Sequence, residues 1–187
     1  MSKLTTDMEN PIDNILMKGV ELVSGPLHCM GATPNMVTTL SLAAGLGSAY
    51  ALKKRRYDLA AALTALAYFL DCVDGYMARK YDQVTDFGDW YDHVSDIVKQ
   101  LSLMFVMYKL DKRKFYRVLP VIMVFSISQC IHVGCQEKVY GKGESVTLSI
   151  SKKLCPGNPD KNIKYTRYVG CGTLALVLVL CILYFKK

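Results

Sequence analysis

The sequence lacks several patterns that would assign it to a common soluble class. None of its seven cysteines forms a CxxC pair, so neither a zinc site nor a disulfide framework is indicated. No stretch interleaves aromatic and basic residues in a repeat, so nucleic acid is not an expected partner despite the net charge of +7. MSKLTTDMEN at the start lacks the basic-then-apolar order of a cleaved signal peptide. No internal repeat or low-complexity linker divides the chain, which predicts one domain over 1–187.

Hydrophobic residues make up 51% of the chain, and they are gathered into blocks separated by lysines and arginines. Blocks of this kind are typical of a polytopic membrane protein, whose positive charge meets anionic head groups. We therefore predict an all-α membrane helix bundle with five spans, or six if the polar stretch after 135 holds one more. The predicted spans are Met36–Leu52, Tyr57–Arg79, Asp86–Leu110, Val118–Cys135 and Val169–Phe185, with a basic DKRK loop before the fourth.

The segment 1–32 precedes the first span and predicts an amphipathic helix lying in the membrane interface. Asn10-Pro11 is a cap followed by a first-turn proline, and Gly25-Pro26 is expected to end the helix. Apolar and charged residues between these points fall on opposite faces, which suits an interfacial position better than a span. We divide the remainder into a four-span core, 33–135, and a polar loop with the last span, 136–187. Within that loop Val146–Ile150 is too short to cross a membrane alone.

The richest chemistry lies between Asp71 and Asp96, a stretch with seven aspartates between two apolar blocks. Asp71 and Asp74 lie three residues apart and share one helix face, and Asp92 and Asp96 lie four apart on another. The connection between the two helices is short and polar, which predicts a hairpin. Two carboxylates from each helix are therefore expected to converge on one point.

Four facing carboxylates repel one another unless cations neutralise them, and oxygen ligands favour Mg²⁺, Mn²⁺ or Ca²⁺. Small residues on the same faces (Gly75, Ala78 and Gly88) leave room for a ligand, and Arg79 offers a planar donor pair for phosphate. These features favour metal-assisted chemistry on a phosphate ester at a membrane surface. Solvated aspartates at a helix end and a divalent-cation transporter are the alternatives that the residues leave open.

The spacing Asp71-x-x-Asp74-Gly75-x-x-Ala78-Arg79, then Gly88-x-x-x-Asp92-x-x-x-Asp96, resembles the complete signature of the CDP-alcohol phosphatidyltransferases. Thr33-Pro34-Asn35 at the start of the first span is similar to the Pro-Asn found there in that family. The resemblance implies an integral membrane enzyme, usually a homodimer, with its active site at the cytosolic face of an endoplasmic reticulum or bacterial inner membrane. The motif flanks are closest to the phosphatidylinositol and phosphatidylglycerophosphate synthases.

The resemblance also implies roles for individual residues. Asp71, Asp74 and Asp92 would hold two Mg²⁺ or Mn²⁺ ions, and Asp96 would touch the metal site and act as general base. The residues expected to bind or make room for the CDP-linked donor are Gly75, Ala78, Arg79, Thr85, Gly88 and Asn35.

The identity of the acceptor depends on weaker signals. The leading hypothesis is transfer of a phosphatidyl group from CDP-diacylglycerol to a small polar alcohol of the inositol, glycerol phosphate or serine type, with release of CMP. Asp92-His93 resembles the choline and ethanolamine phosphotransferases, which move a phosphoalcohol from its CDP ester to diacylglycerol. The candidate acceptor-binding residues are His93, His132, Lys138 and Arg167. The alternative for His93 is a structural hydrogen bond, and the alternative for the other three is head-group anchoring.

Overall fold

The computed structural model describes residues 8–140 and 149–187, and within these ranges the chain is helical and forms no strand. The first four helices are α1 (Pro11–Cys29), α2 (Pro34–Lys53), α3 (Tyr57–Lys80) and α4 (Asp86–Leu110). They are followed by α5 (Lys112–Tyr140), α6 (Ser149–Leu154), α7 (Pro159–Thr166), a 3₁₀ turn (Arg167–Val169) and α8 (Cys171–Tyr184). The predicted all-α class is confirmed.

Side-chain caps start the helices at the positions that the sequence predicts. The Oδ1 atom of Asn10 accepts a hydrogen bond from the backbone N–H of Ile12 at 2.9 Å, and Pro11 follows as the first residue of α1. Thr33 caps α2 in the same way, accepting from the N–H of Met36 at 3.3 Å. Each cap satisfies one of the donors that a helix start leaves unpaired.

Two predicted helix boundaries are wrong. Gly25-Pro26 does not end α1, which continues to Cys29 with Pro26 inside it. The proline is exposed and lies in the last turn, so the helix loses one hydrogen bond where the freed carbonyl meets solvent. The basic DKRK segment is not a loop, because α5 begins at Lys112 directly after Asp111. The carboxylate of Asp111 accepts from the N–H of Lys114 at 3.0 Å, which caps the helix.

Small residues of α2 bring it close to α3. The hydroxyl of Ser41 donates to the carbonyl of Ala67 at 2.8 Å, and the hydroxyl of Ser48 donates to that of Ala60 at 2.8 Å. Small side chains at a helix contact allow this close approach. At the far end of the bundle α2, α3, α4, α5 and α8 share one apolar core, which includes Leu52, Met107, Ile122 and Ile182. Helix α2 packs against both α3 and α4, which make few direct contacts with each other, and the ends of α3 and α4 away from this core carry the aspartates.

Helix α1 is attached to the bundle through polar contacts. The amide of Asn10 donates to the carbonyl of Arg167 at 2.6 Å and to the hydroxyl of Thr173 at 2.8 Å. The hydroxyl of Tyr68 donates to the carboxylate of Asp13 at 2.6 Å. Burial raises the pKa of Asp13, a shift that this hydrogen bond opposes. These contacts connect α1 to α3 and to the start of α8.

Three helical segments are long and apolar enough to cross a membrane, namely Tyr57–Lys80, Lys112–Val139 and Pro159–Tyr184. Helix α2 is rich in serine, threonine and glycine, and α4 carries charged residues along most of its length, so neither joins this set. The five predicted spans correspond to α2, α3, α4, α5 and α8, and their number stays a prediction. The predicted short segment Val146–Ile150 lies largely outside the described residues, which resume at 149.

One disulfide contradicts the expectation from the cysteine pattern. Cys135 near the end of α5 is bonded to Cys155 after α6, across 20 residues of sequence. The prediction failed because it looked for closely spaced pairs, whereas the fold brings two distant cysteines together. The bond closes a loop at the same end of the bundle as the aspartates.

Candidate active site

The structure brings the aspartates of α3 and α4 together. One carboxylate oxygen each from Asp71, Asp74 and Asp92 lies within 4.8 Å of the other two. Asp74 is 4% exposed, and its Oδ2 atom has no hydrogen-bond partner; neither does the buried Oδ1 atom of Asp92. Buried carboxylate oxygens are rarely left unpaired in folded proteins. Three carboxylate oxygens converge here, and two of the three residues carry an oxygen without a hydrogen-bond partner. Such a set of ligands fits a hard divalent cation.

Asp96 lies beside this trio, and the ammonium group of Lys99 connects it to Asp71. The ammonium group of Lys99 lies 2.7 Å from Oδ1 of Asp96 and 2.8 Å from Oδ1 of Asp71. It also donates to the hydroxyl of Ser41 at 2.8 Å. The sequence reasoning did not identify Lys99. The pattern that could have identified it is a lysine three residues after Asp96 within an otherwise apolar stretch of helix, because a charge in such a stretch needs a partner.

The connection between α3 and α4 is the short hairpin that the sequence predicts. It spans five residues, and Asp82 adopts a left-handed conformation with φ of 54°. The N–H of Gln83 donates to the carbonyl of Ala78 at 2.8 Å, closing the turn. Thr85 caps α4 by accepting from the N–H of Gly88 at 3.0 Å. The turn therefore places the start of α4 beside the end of α3.

A cavity of about 120 Å³, the end cavity, opens at this turn between α2, α3 and α4. All six predicted donor-binding residues line it together with Asp74 and Asp92. The full lining is Pro34, Asn35, Thr38, Asp74, Gly75, Ala78, Arg79, Gln83, Val84, Thr85, Gly88, Asp89 and Asp92. The buried Nε atom of Arg79 has no partner, which leaves a guanidinium donor for an anion here.

Two glycines of the end cavity stand where a side chain would collide. A Cβ on Gly88 would lie 3.0 Å from the hydroxyl oxygen of Thr85 and 3.1 Å from Oδ1 of Asn35. A Cβ on Gly75 would lie 3.3 Å from Nη1 of Arg79. All three distances are tighter than ordinary van der Waals contact. Glycine at these positions therefore keeps Arg79, Thr85 and Asn35 close to the carboxylates.

A second cavity of about 140 Å³, the inner cavity, lies on the other side of the aspartates within the bundle. Asp71, Asp96 and Lys99 form its charged wall. Further polar side chains in its lining are Ser48, Thr64, Tyr68, Gln100 and Gln129. Its apolar wall comes mainly from Leu103 and from Leu174 and Leu178 of α8. The four aspartates thus separate the end cavity, whose wall is about equally polar and apolar, from the inner cavity, whose wall is mainly apolar.

The four predicted acceptor-binding residues line neither cavity. His93 bonds to the carbonyl of Asp89 one turn earlier on α4, at 2.7 Å. His132 is buried, and its Nδ1 atom lies 3.1 Å from the hydroxyl of Thr166. Lys138 donates to the carbonyl of Cys155 at 2.7 Å, beside the disulfide. The guanidinium of Arg167 lies 5.0 Å from the centre of the Tyr168 ring.

Comparisons with known proteins give one relative and one family. The chain is 30% identical over 105 residues to an archaetidylinositol phosphate synthase from Pyrococcus horikoshii. That alignment covers 56% of this chain and 52% of the relative, so the chain spans about half the length of that protein. No solved structure matches the chain. The sequence model of the family described as CDP-alcohol phosphatidyltransferase matches residues 31–185, and the chain belongs to that family.

Proposed function

We propose that the protein transfers a phosphatidyl group from CDP-diacylglycerol to a hydroxyl of a small polar alcohol and releases CMP. The observation that carries this proposal is the position of four aspartates from α3 and α4 between two cavities. One cavity carries the unpaired donor of Arg79, and the other exposes Asp96. Displacement at phosphorus needs this arrangement, because the attacking and leaving groups lie on opposite sides of the phosphorus atom.

The end cavity is suited to the CDP part of the donor. Arg79 binds pyrophosphate oxygens through its guanidinium group, since a planar fork of donors matches phosphate geometry. Gly75 and Gly88 leave space for the nucleotide, and Thr85 and Asn35 line the same wall. The donor's diacylglycerol part extends toward the surrounding lipid.

Asp71, Asp74 and Asp92 are the residues that would hold Mg²⁺ or Mn²⁺. When bound, such a cation supplies positive charge that stabilises the oxygens of the transferred phosphate and of CMP. The unpaired oxygens of Asp74 and Asp92 support this assignment. The family resemblance predicts two ions. Lys99 lies between Asp71 and Asp96 and therefore affects how many ions can bind.

Asp96 is the proposed general base. It is half-buried and lines the inner cavity, where an acceptor hydroxyl approaches it. The ammonium group of Lys99 pairs with Oδ1 of Asp96, so Oδ2 of Asp96 accepts the proton of the acceptor hydroxyl. The acceptor oxygen then bonds to the β-phosphorus, and the bond from that phosphorus to the bridging oxygen breaks. CMP leaves with the electron pair of that bond, and the proton stays on Asp96.

The inner cavity supports a polyol acceptor. Hydroxyl and amide groups (Ser48, Thr64, Gln100 and Gln129) stand within its mainly apolar lining, and such groups hydrogen-bond to the hydroxyls of a sugar alcohol. The Pyrococcus relative is named as an archaetidylinositol phosphate synthase. We therefore place inositol and inositol phosphate first among the acceptors, ahead of glycerol phosphate and serine.

The membrane setting follows from the same family. We expect an integral multi-pass protein, active as a homodimer, with the end cavity at the cytosolic face. In this orientation α1 and the disulfide lie on the cytosolic side, and the end of α8 lies on the opposite side.

The test is CMP release by the full-length protein in detergent with Mg²⁺ or Mn²⁺. CDP-diacylglycerol is offered in turn with inositol, inositol phosphate, glycerol 3-phosphate and serine, and CDP-choline or CDP-ethanolamine with diacylglycerol. We expect release with CDP-diacylglycerol and one alcohol. Release only from CDP-choline or CDP-ethanolamine would replace the proposal with aminoalcohol transfer. Metal flux into proteoliposomes without CMP release would replace it with cation transport.

A further inference from the structure

We propose that the ammonium group of Lys99 takes the place of a second divalent cation between Asp71 and Asp96, so that this centre binds one divalent cation per chain. The inference rests on the proposed function only in requiring that Asp71, Asp74 and Asp92 bind a divalent cation. It departs from the two ions that the family resemblance predicts. The departure comes from a residue that lies outside the family signature.

The contacts of Lys99 fill the space between the two carboxylates. Its ammonium has three N–H donors and three acceptors at 2.7–2.8 Å, which are Asp71, Asp96 and Ser41. A Mg²⁺ ion binds carboxylate oxygens at about 2.0–2.1 Å, and Mn²⁺ prefers the same kind of ligand. An ion bridging these two oxygens would occupy the same gap as the ammonium group and would carry charge of the same sign. Lys99 and a second ion are therefore alternatives at this position.

The stem of Lys99 packs closely against α2. A Cβ on Gly45 of α2 would lie 2.5 Å from Cγ of Lys99 and 2.8 Å from its Cδ. Only a glycine lets α2 pass this close to the lysine stem. The Lys99 side chain is 13% exposed, so it is buried between helices rather than extended over the surface. Gly45 thus makes room for the Lys99 stem, and the ammonium group of Lys99 places a positive charge between Asp71 and Asp96.

The remaining carboxylates keep a site for one ion. Asp74 and Asp92 each retain an unpaired buried oxygen, and an oxygen of Asp71 lies within reach of both residues. Asp71 can serve both sides because a carboxylate has two oxygens, one of which accepts from Lys99. The centre thus divides into one position for a divalent cation and one held by the lysine.

The experiment counts Mn²⁺ ions bound per chain. The purified full-length protein in detergent is titrated with Mn²⁺, and free Mn²⁺ is measured by its paramagnetic resonance signal. We expect one bound ion in the wild type. Lys99→Met keeps an unbranched stem against Gly45 but removes the charge, and we expect two ions with the line broadening of a coupled pair. Lys109→Met removes an exposed lysine from the same helix and should bind one ion, as the wild type does.

A second variant covers the case in which Lys99→Met does not fold, which size-exclusion chromatography would reveal. Gly45→Ala pushes the lysine stem aside while keeping every charge, so we expect two bound ions in this variant against one in the wild type. Two ions in the wild type would overturn the inference, as would a folded Lys99→Met protein that still binds one. No bound ion in the wild type would overturn both the inference and the proposed metal site. One bound ion without CMP release from any pair would count against the proposed function alone.

Discussion

Gly75 lies directly beneath the guanidinium of Arg79, one turn away on α3, and a Cβ there would lie 3.3 Å from Nη1 and 3.5 Å from Nη2. Because Gly75 has no side chain, the guanidinium group of Arg79 can occupy this position at the end cavity. Since Arg79 is the proposed pyrophosphate ligand, this contact connects the sequence motif to binding of the donor.

Gly75→Ala should shift Arg79 by a few tenths of an ångström and weaken donor binding. We expect the KM for CDP-diacylglycerol to rise several-fold, and more in Gly75→Val, because small displacements of a positioning group have large effects on reactivity. Steady-state CMP release at varied donor concentration measures this. Gly47→Ala is the control, since its Cβ would meet Leu63 at an ordinary 3.5 Å. Equal KM values in Gly75→Ala and the control would show that the contact does not position Arg79.

Asp74→Asn should abolish metal-dependent turnover. Replacing a buried carboxylate with an amide removes the charge but keeps the shape, so we expect CMP release to fall by about a hundredfold or more. Asp58→Asn is the control, because Asp58 is exposed at the opposite end of the bundle and pairs with Lys186 at 2.7 Å. Full activity in Asp74→Asn at saturating Mn²⁺ would remove Asp74 from the metal site.

The sequence predicted the region of α3 and α4 because its signals are local. Helical spacing places Asp71 with Asp74 and Asp92 with Asp96, and the short polar segment between the two helices indicates a hairpin. Each of these signals acts within one or two helical turns. The six residues that the motif resemblance names for the donor all line the end cavity, and their role stays a prediction.

The features that the sequence did not predict depend on contacts between distant segments. Lys99 meets Asp71 and Ser41 across 28 and 58 residues, and no spacing rule along α4 relates it to α2. Cys135 and Cys155 pair because α6 packs against α5. The prediction of His132, Lys138 and Arg167 as acceptor residues depends on their charge and their side of the membrane, and neither property indicates which side chain faces a cavity.

Asn10→Ala should destabilise the protein by loosening α1. The variant loses the cap of α1 and both contacts of the Asn10 amide with Arg167 and Thr173. We expect about 1 kcal/mol from the cap and about 1–3 kcal/mol from the buried contacts. Thermal unfolding in detergent measures the loss. Asn10→Ser keeps a cap but cannot reach α8, so it should fall between the wild type and Asn10→Ala. An unchanged melting temperature in both would show that Asn10 does not anchor α1.

Removing the disulfide should lower stability without removing activity. Cys155→Ser opens a loop of about twenty residues, for which the chain-entropy model gives about 3 kcal/mol. A reducing agent should lower the melting temperature of the wild type and leave that of the variant unchanged. Cys130→Ser, at an exposed free cysteine, is the control. Equal responses to the reducing agent in wild type and Cys155→Ser would contradict a bond between Cys135 and Cys155.

The most direct test of the central proposal compares wild type, Asp92→Asn and Asp96→Asn in one assay. CDP-diacylglycerol and inositol phosphate or inositol are supplied with Mn²⁺, and CMP and the phosphatidyl product are quantified together. We expect equal amounts of the two products from the wild type and neither above background from the variants. CMP release at the wild-type rate by Asp96→Asn would contradict its role as base, and wild-type turnover by Asp92→Asn would contradict the site.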